Sequence, residues 1–510
     1  MNLTKKNTIS ILIAIVLIGA FLRLYNLGAT SFVADEFLDI NSSMAYAKTG
    51  TWQNWDFNFG KINTENEFAA RDERAWPYKW QVAQVLKLSK PAESTARTVS
   101  VLWGIISIIL IYYVATYFTK KKEIGLIAAF LFAVSMTGII FDRRLRMYSM
   151  FFPMYLAFSW MTFRFLEEEY KGKIKLVKFF YDKWKINLIY AIPVVVLGAI
   201  SILTHQLTAN IIFVILFYAA FQLYGEKKRS SLYNKYFLII IALVAGYIVA
   251  AIFFSKNLAA YTAGLGMTNH ATYIIKVFAD YSHWIIAALI LGYGIWWLYK
   301  KASLPKESLW LSVSFLGVLL LASFFWNRNV GEQYIFFIES FGIILIASGI
   351  YATSEFFGRN LSQYGKRALY VPIILALLIL PNWAYFFEDS NTYKQTSDSS
   401  SANYKKIFYY FNKARKPDDV LITRNFRNFY WAGDKVRVYD FGGELSKTKL
   451  SVDDIKKIQS ENVSGWLIIS DNDTDYIAND AMDYVSKNLE KVSNTYVRGQ
   501  VSVYRWGNQQ

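Results

Sequence analysis

The segment ISILIAIVLIGAFLRLYNLGATSFVADE, residues 9–36, joins a long apolar run to two adjacent acids, Asp35 and Glu36. The run from Ile9 to Leu22 approaches the length of a membrane span, and Arg23 follows it without a clear small-residue cleavage site. We therefore interpret this run as a retained membrane anchor rather than a cleaved signal peptide. The two acids then lie just outside the bilayer, where they are candidates for chemistry at the lipid surface.

The composition of the chain is that of a membrane protein. Of the 510 residues, 54% are hydrophobic and 18% are aromatic, only 8 are proline, and the mean hydropathy is positive. Such an apolar chain does not suit a single soluble domain. Cysteine is absent, which excludes disulfides, cysteine-ligated metal centres and a thiol nucleophile. Any chemistry therefore depends on carboxylates, hydroxyls, amines and the 3 histidines.

Segments of about 20 largely apolar residues recur along the chain, which is the length that a membrane-spanning helix requires. They predict a polytopic α-helical membrane protein with about 11 transmembrane helices. The candidate spans are 8–27, 98–118, 124–141, 148–166, 187–204, 207–224, 236–254, 283–299, 309–326, 334–352 and 368–387.

Basic residues cluster in every second connection between these spans. The clusters are Lys5-Lys6, Lys120 to Lys122, Lys171 to Lys185, Lys227 to Arg229, Lys300-Lys301 and Lys366-Arg367. Because cytoplasmic loops are enriched in positive charge, we expect these connections and the N-terminus to lie inside the cell. The net charge of +17 is then a consequence of membrane topology, and nucleic acid is not an expected partner. We predict a protein integral to the plasma membrane.

The alternate connections are then extracytoplasmic. They are 23–97, 142–147, 205–206, 255–282, 327–333 and the tail from 388 onward. The first is far longer than an ordinary loop, and its apolar residues recur at a spacing that predicts two helices lying on the outer surface. Every residue that we consider chemical falls on this side, so the active face is predicted to be extracytoplasmic.

The second outer connection, 142–147, is unusually basic for its predicted location. It contains Arg143, Arg144 and Arg146. Arginine is depleted outside the cell, and guanidinium groups bind phosphate through forked, charge-assisted hydrogen bonds. We therefore expect a lipid phosphate or a phosphate leaving group as the ligand. The alternative is that these arginines contact anionic headgroups or pair with Glu36 or Asp142.

Four motifs follow one another in an order typical of a known enzyme family. They are Arg23-Leu-Tyr-Asn-Leu-Gly28, the pair Asp35-Glu36, Trp76-Pro77-Tyr78 with Arg97 opening the next span, and Leu145-Arg146-Met147-Tyr148-Ser149. In these motifs the sequence resembles membrane glycosyltransferases of the GT-C superfamily, in particular the branch of protein O-mannosyltransferases and lipid A aminoarabinose transferases. The resemblance covers about residues 20–165, and Gly331-Glu332-Gln333-Tyr334 is similar to the late tyrosine motif of the family.

The resemblance implies a polyprenyl-phosphate-linked sugar as donor and an inverting displacement by an acceptor hydroxyl. That attack needs a base for the hydroxyl proton and stabilisation of the departing phosphate. On this basis we expect Asp35 to be the base, with Glu36 supporting it or binding a metal. The residues assigned to the donor phosphate are Arg143, Arg144, Arg146 and Tyr148.

Other residues are expected to support this site. The candidates are Asp142, Arg97, His205, Glu332 and Tyr334. A divalent metal is an open alternative to a metal-free site, because some members of the family use one. Its candidate ligands are Glu36, His205 and His270. Since no glycine-rich nucleotide motif follows a strand, a nucleotide cofactor is not expected.

The composition changes after residue 387. We predict a GT-C-like transmembrane catalytic domain over 1–387, including the outer loop 23–97, then a polar linker over 388–401. Short apolar strands near 420–423, 436–439 and 466–469 alternate with helical segments near 402–415, 451–461 and 476–490. Residues 402–510 are therefore predicted to form a small extracytoplasmic α/β domain, ending in a strand or hairpin over 495–505.

Three classes of function remain open. The first is a hexosyl- or pentosyltransferase that uses a polyprenyl-phosphate sugar and transfers it to a protein, glycolipid or cell-wall acceptor. The second is a lipid-linked oligosaccharide transferase, which is disfavoured because the tail contains no Trp-Trp-Asp motif. The third is a non-enzymatic transporter or flippase of lipid-linked sugars, which would place its charges within the spans as a pathway. Here the notable charges crowd the outer ends of the spans.

Overall fold

The structure is a computed structural model. It describes residues 4–63, 72–225, 234–253, 262–327, 330–360, 370–396, 402–441, 449–493 and 501–507. The sequence predictions at Lys227 to Arg229, Lys366-Arg367, 397–401 and 495–500 lie outside these ranges.

Helices dominate the described part of the chain. They are α1 Lys5–Leu24, α2 Ala34–Thr49, α3 Trp76–Leu88, α4 Glu93–Thr119, α5 Lys122–Ala133, α6 Met136–Asp142, α7 Tyr148–Glu167, α8 Lys175–Trp184, α9 Ala191–Thr204, α10 Asn210–Gly225, α11 Lys235–Phe253, α12 Thr272–Lys276, α13 Trp284–Trp296, α14 Pro305–Ser312, α15 Val318–Phe325, α16 Glu339–Asn360, α17 Val371–Ile379, α18 Tyr404–Ala414, α19 Val452–Glu461 and α20 Asn479–Asn488. The strands are β1 Trp55–Asp56, β2 Lys61–Ile62, β3 Val420–Ile422, β4 Val438–Tyr439, β5 Gly465–Ser470, β6 Glu490–Lys491 and β7 Val501–Trp506.

Six helices among the described residues are long and apolar enough to cross a membrane. They are Lys5–Leu24, Glu93–Thr119, Gln206–Gly225, Lys235–Phe253, Pro305–Phe325 and Phe336–Gly358. Two bent pairs raise the number to 8 if each pair is one span, namely Lys122–Ala133 with Met136–Asp142 and Lys175–Trp184 with Leu188–Thr204. The prediction of a mostly helical chain with several membrane-crossing segments is confirmed. The number of 11 spans and their orientation stay predictions.

The chain divides into two compact units. Unit 1 consists of Met1–Arg23, Val101–Asp142 and Met147–Tyr385. Its centre is α16, which packs closely on α13 because Gly294 and Gly349 lie where they cross. A β-carbon on Gly294 would overlap the carbonyl oxygen of Leu345, and one on Gly349 would overlap that of Ile290. Small residues allow two helix backbones to approach in this way inside a membrane protein.

Unit 2 consists of Leu24–Ser100, Arg143–Arg146 and Phe386–Gln510. It contains a five-stranded sheet in the order β4-β3-β5-β7-β6. Strand β3 is parallel to β4 and β5, whereas β7 is antiparallel to β5 and β6. Strand β5 is buried along its whole length, which fits its apolar sequence, and α19 and α20 contribute apolar residues to the same core. The tail therefore contributes a small sheet with helices packed on it, whereas a separate C-terminal α/β domain stays a prediction.

Helix α2 belongs to unit 2 because its apolar face packs on residues of the tail. The ring of Phe37 makes edge contacts with the rings of Tyr404 and Tyr430, at centroid distances of 5.4 and 5.6 Å. The Asn41 side chain donates a hydrogen bond of 2.8 Å to the carbonyl oxygen of Phe426. The helix predicted to lie on the membrane surface thus covers this part of the tail. Contacts group the first outer connection with the tail, although the chain separates them by about 300 residues.

Candidate functional site

Glu36 lies in the first turn of α2 and is enclosed by hydrogen-bond donors. Arg97 donates from Nε to Oε1 and from Nη2 to Oε2, each at 2.8 Å. The backbone amides of Leu145 and Val33 donate to the same carboxylate at 2.6 and 3.0 Å. Burial raises the pKa of Glu36, but the Arg97 charge and these hydrogen bonds outweigh it and lower the pKa overall. Glu36 is therefore an ionised, fully bonded carboxylate.

Arg97 also fixes the backbone that leads into α2. Its guanidinium donates to the carbonyl oxygens of Leu27, Thr30 and Ser31 at 3.0 to 3.2 Å. The Glu36–Arg97 pair is thus at the centre of a network that sets the position of the first turn of α2, and both side chains are almost completely buried. Loss of one partner from such a pair strongly destabilises the fold, because the charge of the other partner stays buried without a counter-ion.

Asp35 lies beside Glu36 in sequence but in different surroundings. Its side chain is 58% exposed, and its Oδ2 is 3.3 Å from Nη2 of Arg146. Successive residues of a helix point about 100° apart, so two adjacent acids in one turn face different directions. The position at the N-terminus of α2 also favours a negative charge, because the helix dipole is positive there. Asp35 is therefore an accessible carboxylate next to a guanidinium.

Asp39 completes the surroundings of Arg146. It follows Asp35 by one helical turn, and its Oδ2 accepts a hydrogen bond of 2.8 Å from Nη1 of Arg146. The side chain of Asp39 is only 8% exposed. Burial raises its pKa, and the charges of Arg146 and Lys79 offset this effect only in part. Arg146 is thus bound between one exposed and one buried carboxylate.

Lys79 lies in the interior of unit 2 near Asp39. Its Nζ is 3.0 Å from Oδ2 of Asp72 and donates to the Asp72 carbonyl oxygen at 2.7 Å. It also lies over the ring of Trp52, 5.6 Å from the centroid. Burial lowers the pKa of the Lys79 ammonium, although the charges of Asp39 and Asp72 counteract the effect. The result is a series of alternating charges, which we call the alternating-charge cluster and which consists of Asp35, Arg146, Asp39, Lys79 and Asp72.

The three arginines of the second outer connection do not share one environment. Arg146 belongs to the alternating-charge cluster. Arg143 donates to the carbonyl oxygens of Tyr25, Asn26 and Thr392 at 2.7 to 3.1 Å, and its guanidinium lies 4.4 Å from the ring centroid of Tyr393. Four partners from two chain segments give Arg143 a role in holding those segments together. Arg144 is half-buried, and its carbonyl oxygen accepts from the amide of Arg146. Phosphate binding by all three stays a prediction.

Asp142 belongs to unit 1 and pairs with Arg23. The Nε of Arg23 donates to Oδ2 of Asp142 at 2.7 Å, and both side chains are almost completely buried. Arg23 also donates to the carbonyl oxygens of Ala133 and Phe132 at 2.9 and 3.2 Å. Gly104 leaves room for this pair, because a β-carbon there would overlap the Asp142 carboxylate. The Arg23 of the first motif therefore has a structural partner in the second outer connection.

The remaining candidates also lie in unit 1. Tyr148 packs on His205, with ring centroids 5.4 Å apart, and Nδ1 of His205 accepts the amide hydrogen of Leu207 at 3.1 Å. The ring of His270 meets that of Tyr273 edge-on at 5.9 Å. Glu332 is 3.5 Å from Nζ of Lys276 and is partly exposed. Tyr334 lies in the short helical turn that begins at Glu332.

Two of the candidate metal ligands, Glu36 and His205, already accept hydrogen bonds. Both oxygens of Glu36 accept hydrogen bonds from Arg97 and from backbone amides, so they face hydrogen-bond donors rather than a metal ion. Nδ1 of His205 is also engaged with a backbone amide. Across the described ranges no group of three or more histidine, aspartate or glutamate side chains is arranged to hold a metal ion. Metal binding by Glu36, His205 or His270 stays a prediction.

The structure adds three residues to the candidates found from sequence, namely Asp39, Lys79 and Asp72. The spacing of Asp35 and Asp39 is a signal for the first, because side chains four apart share one face of a helix. Lys79 interrupts the aromatic stretch Trp76 to Trp80, where an isolated charge is unusual. The sequence carries no comparable signal for Asp72, which reaches Lys79 only through the fold.

No known family model matches the sequence, and no curated protein matches it. Among solved structures, the Archaeoglobus fulgidus oligosaccharyltransferase in the apo form matches with a TM-score of 0.58 at 11% identity, covering 92% of this chain and 70% of that one. ArnT from Cupriavidus metallidurans bound to undecaprenyl phosphate matches with a TM-score of 0.56 at 10% identity, and the match covers 99% of this chain and 100% of that one. The fold is of the GT-C type.

A third structure, AglB from Archaeoglobus fulgidus in complex with an inhibitory peptide and a dolichol-phosphate, has a TM-score of 0.58 at 12% identity. It covers 91% of this chain and 69% of that one. Identities this low establish the fold and no more. The resemblance predicted from the motifs is therefore confirmed as a GT-C fold, whereas the roles of individual residues stay predictions.

Proposed function

We propose that this GT-C-type protein is a membrane glycosyltransferase that moves a sugar from a polyprenyl-phosphate donor to an acceptor hydroxyl. The observation that supports the proposal most directly is the pairing of Asp35 with Arg146. An exposed carboxylate and a guanidinium lie 3.3 Å apart, so a base and a phosphate-binding cation are side by side. The two lipid-phosphate complexes among the similar structures agree with such a donor.

In the proposed reaction the acceptor oxygen forms a bond to the anomeric carbon on the face opposite the phosphate. The bond between that carbon and the phosphate oxygen breaks, and the polyprenyl phosphate leaves with the electron pair. Asp35 takes the proton of the acceptor hydroxyl, and Arg146 stabilises the charge that develops on the phosphate. Because the base and the leaving group lie on opposite faces of the sugar, the 3.3 Å contact between Asp35 and Arg146 has to open when the substrates bind. Displacement from the opposite face inverts the anomeric configuration. Asp39 and Glu36 act on this site indirectly, by positioning Arg146 and the first turn of α2.

The proposed location follows from the charge pattern. Lysine-rich connections would lie in the cytoplasm, so the N-terminus would be inside and the active face and the tail outside the plasma membrane. The acceptor would then be a protein, glycolipid or cell-wall polymer. Lipid-linked oligosaccharide transfer is the alternative within the same fold, and transport of a lipid-linked sugar without transfer is the alternative outside enzymes.

The Asp35→Asn variant tests the proposal. Transfer would be measured with the purified full chain, using polyprenyl phosphates that carry a hexose, a pentose or an oligosaccharide. We expect about a thousandfold loss of transfer, because a general base contributes 10²- to 10⁴-fold. The matched control is Asp453→Asn, since Asp453 is also an exposed aspartate in the first turn of a helix. Near-normal transfer by Asp35→Asn would remove Asp35 from the mechanism.

The choice of donor separates the related functions. Transfer of a single hexose or pentose supports the proposal, whereas transfer only from the oligosaccharide donor would establish the alternative enzyme. Movement of labelled donor across a vesicle membrane without any glycosylated product would overturn the enzymatic assignment.

A further inference from the structure

A cavity of about 830 Å³ lies at one end of unit 1. It is formed by the turn between α4 and α5, the end of α13 with the residues that follow it, and the last turns of α16. Glu355 lines this cavity, whereas Glu339 is at the opposite end of α16. They are 16 positions apart, which corresponds to about 24 Å of helix. The cavity is thus separate from the candidate residues of unit 1, none of which lines it.

Three lysines line the cavity, and they are not neutralised by ion pairs. In the described part of the chain no carboxylate lies within 4 Å of the ammonium of Lys120, Lys121 or Lys301. Other lysines of unit 1 are paired, since Glu167 binds both Lys235 and Lys306 at 3.0 and 2.7 Å. The ammonium groups of Lys120 and Lys121 lie over the rings of Tyr117 and Tyr351, at 4.2 and 5.9 Å from the centroids, but a ring does not cancel their charge. Three cations without a carboxylate partner around one cavity of this volume favour an anionic ligand.

One acid also lines the cavity, but it is turned toward an indole. The carboxylate of Glu355 accepts a hydrogen bond of 3.2 Å from Nε1 of Trp297. Among the described lining residues, the positive charge of the lysines therefore exceeds the negative charge. The chain at this point is a π-helical turn over Trp297–Lys301, with the amide of Ala302 donating to the carbonyl oxygen of Trp297 at 2.9 Å. Such turns are rare and are frequent at functional sites.

The walls of the cavity also offer apolar surface that continues along the outside of α13. Trp296 and Phe356 line the cavity and are 44% and 58% exposed. Leu289, which is 69% exposed, lies two turns before Trp296 on the same face of the helix. An exposed apolar face that leads to a cationic cavity fits a molecule with a charged head and an apolar chain.

We propose that this cavity binds the headgroup of an anionic phospholipid, with its acyl chain along the Leu289 face of α13. Basic pockets between membrane helices on the cytoplasmic side are suited to such headgroups, and the positive-inside pattern assigns this end to the cytoplasm. The proposal does not depend on the proposed transfer reaction. The phosphate of the lipid contacts Lys121 and Lys301, and the aromatic rings of Trp296 and Phe356 lie beside the glycerol and the first methylenes.

The test compares two double variants of the purified full chain that change the net charge equally. Lys121→Gln/Lys301→Gln removes two lysines of the cavity, and Lys122→Gln/Lys300→Gln removes their exposed sequence neighbours, which do not line it. Binding of phosphatidylglycerol is measured by native mass spectrometry and titration in detergent, with phosphatidylcholine as the neutral lipid. Each basic residue near an anionic surface contributes about 1 kcal/mol, so we expect about thirtyfold weaker binding for the first variant. The second is expected to stay within about threefold of the unchanged protein.

Each outcome decides the proposal. An equal loss in both double variants would show a diffuse charge effect and overturn it, as would unchanged binding in the first. Phosphatidylcholine binding as tightly as phosphatidylglycerol would also overturn it, because the lysines would then have no role. Displacement of the lipid by excess inorganic phosphate would identify a soluble phosphate ligand instead.

Glu355→Gln provides a test in the opposite direction, which a folding defect cannot imitate. The amide oxygen can still accept from Trp297, while the negative charge in the cavity is lost. We expect phosphatidylglycerol to bind about fivefold more tightly. Weaker or unchanged binding in a variant with an unaltered thermal midpoint would contradict the proposed site.

Discussion

Asp35 and Glu36 are adjacent in sequence and chemically alike, yet they belong to two different regions of unit 2. Glu36 is enclosed with Arg97 in a buried network of hydrogen bonds, whereas Asp35 is exposed and shares Arg146 with Asp39. A buried, saturated ion pair fixes the backbone, and an exposed acid beside a cation remains available to a substrate. The difference shows that a pair of acids in one helical turn can combine a structural and a chemical task.

Breaking the buried region should have the largest effect on stability. We expect Glu36→Gln to lower the free energy of unfolding by about 3–5 kcal/mol, because the Arg97 guanidinium would stay buried without its counter-ion. Denaturant unfolding in detergent would measure this. As a control, Glu490→Gln breaks the partly exposed pair with Arg505 and should cost less than about 1 kcal/mol. Equal effects of the two substitutions would show that the Glu36 network is not structural.

The same variant has an expected pH dependence. The pKa of Glu36 is lowered in the folded state, so its stabilising contribution is present above its ordinary pKa of about 4.3. It is lost as the pH falls through the lowered pKa. The difference in unfolding free energy between the unchanged protein and Glu36→Gln should therefore be largest near neutral pH and shrink in acid.

Changing the cation of the exposed region should affect transfer. Arg146→Lys keeps a positive charge but loses the forked geometry that binds a phosphate. We expect kcat/KM for the lipid-linked donor to fall about 100-fold, which is the scale for losing a donor that stabilises transition-state charge. Steady-state kinetics with the purified chain would measure it. Full activity of the lysine variant would show that the charge alone suffices and that the proposed bidentate contact is wrong.

Removing the buried acid of the alternating-charge cluster, Asp39, should have a smaller effect on transfer. Asp39→Asn leaves Arg146 in contact with Asp35 but replaces its charged 2.8 Å acceptor with a neutral amide, so we expect about a tenfold loss of transfer. Because burial raises the pKa of Asp39, its stability contribution is full below its ordinary pKa of about 3.9 and is lost as the pH rises through the raised value. Between acid and neutral pH the variant should therefore lose less stability than the unchanged protein.

The smallest effect is expected at Arg74, an exposed residue outside the cluster that pairs with Asp72. Arg74 contacts Asp72 at 2.9 Å, but 68% of its side chain is exposed. Exposed ion pairs contribute little, so Arg74→Gln should change the free energy of unfolding by less than about 1 kcal/mol and leave transfer intact. The two assays described above would check this. A large loss of either quantity would extend the functional region to the surface near Asp72.

Much of the architecture was predictable because it follows from local patterns. Apolar runs of membrane length predicted the helices, and alternating apolar segments predicted the sheet of the tail. The motif order predicted the GT-C fold, which the solved structures confirm. The domain boundary at residue 387, which was inferred from a change in composition, stays a prediction. Composition could not indicate that α2 packs on the tail, since that contact joins residues about 400 positions apart, such as Asn41 and Phe426.

The sequence by itself determined which residues can do chemistry here: two acids after the first span, three arginines in a short connection, and no thiol. Only the tertiary structure decided which of the two acids is exposed and which has its hydrogen-bonding capacity filled. The reason is that Arg97 and Arg146 approach α2 from distant parts of the chain. Charge type is a local property of the sequence, whereas burial and partnership are properties of the packed chain.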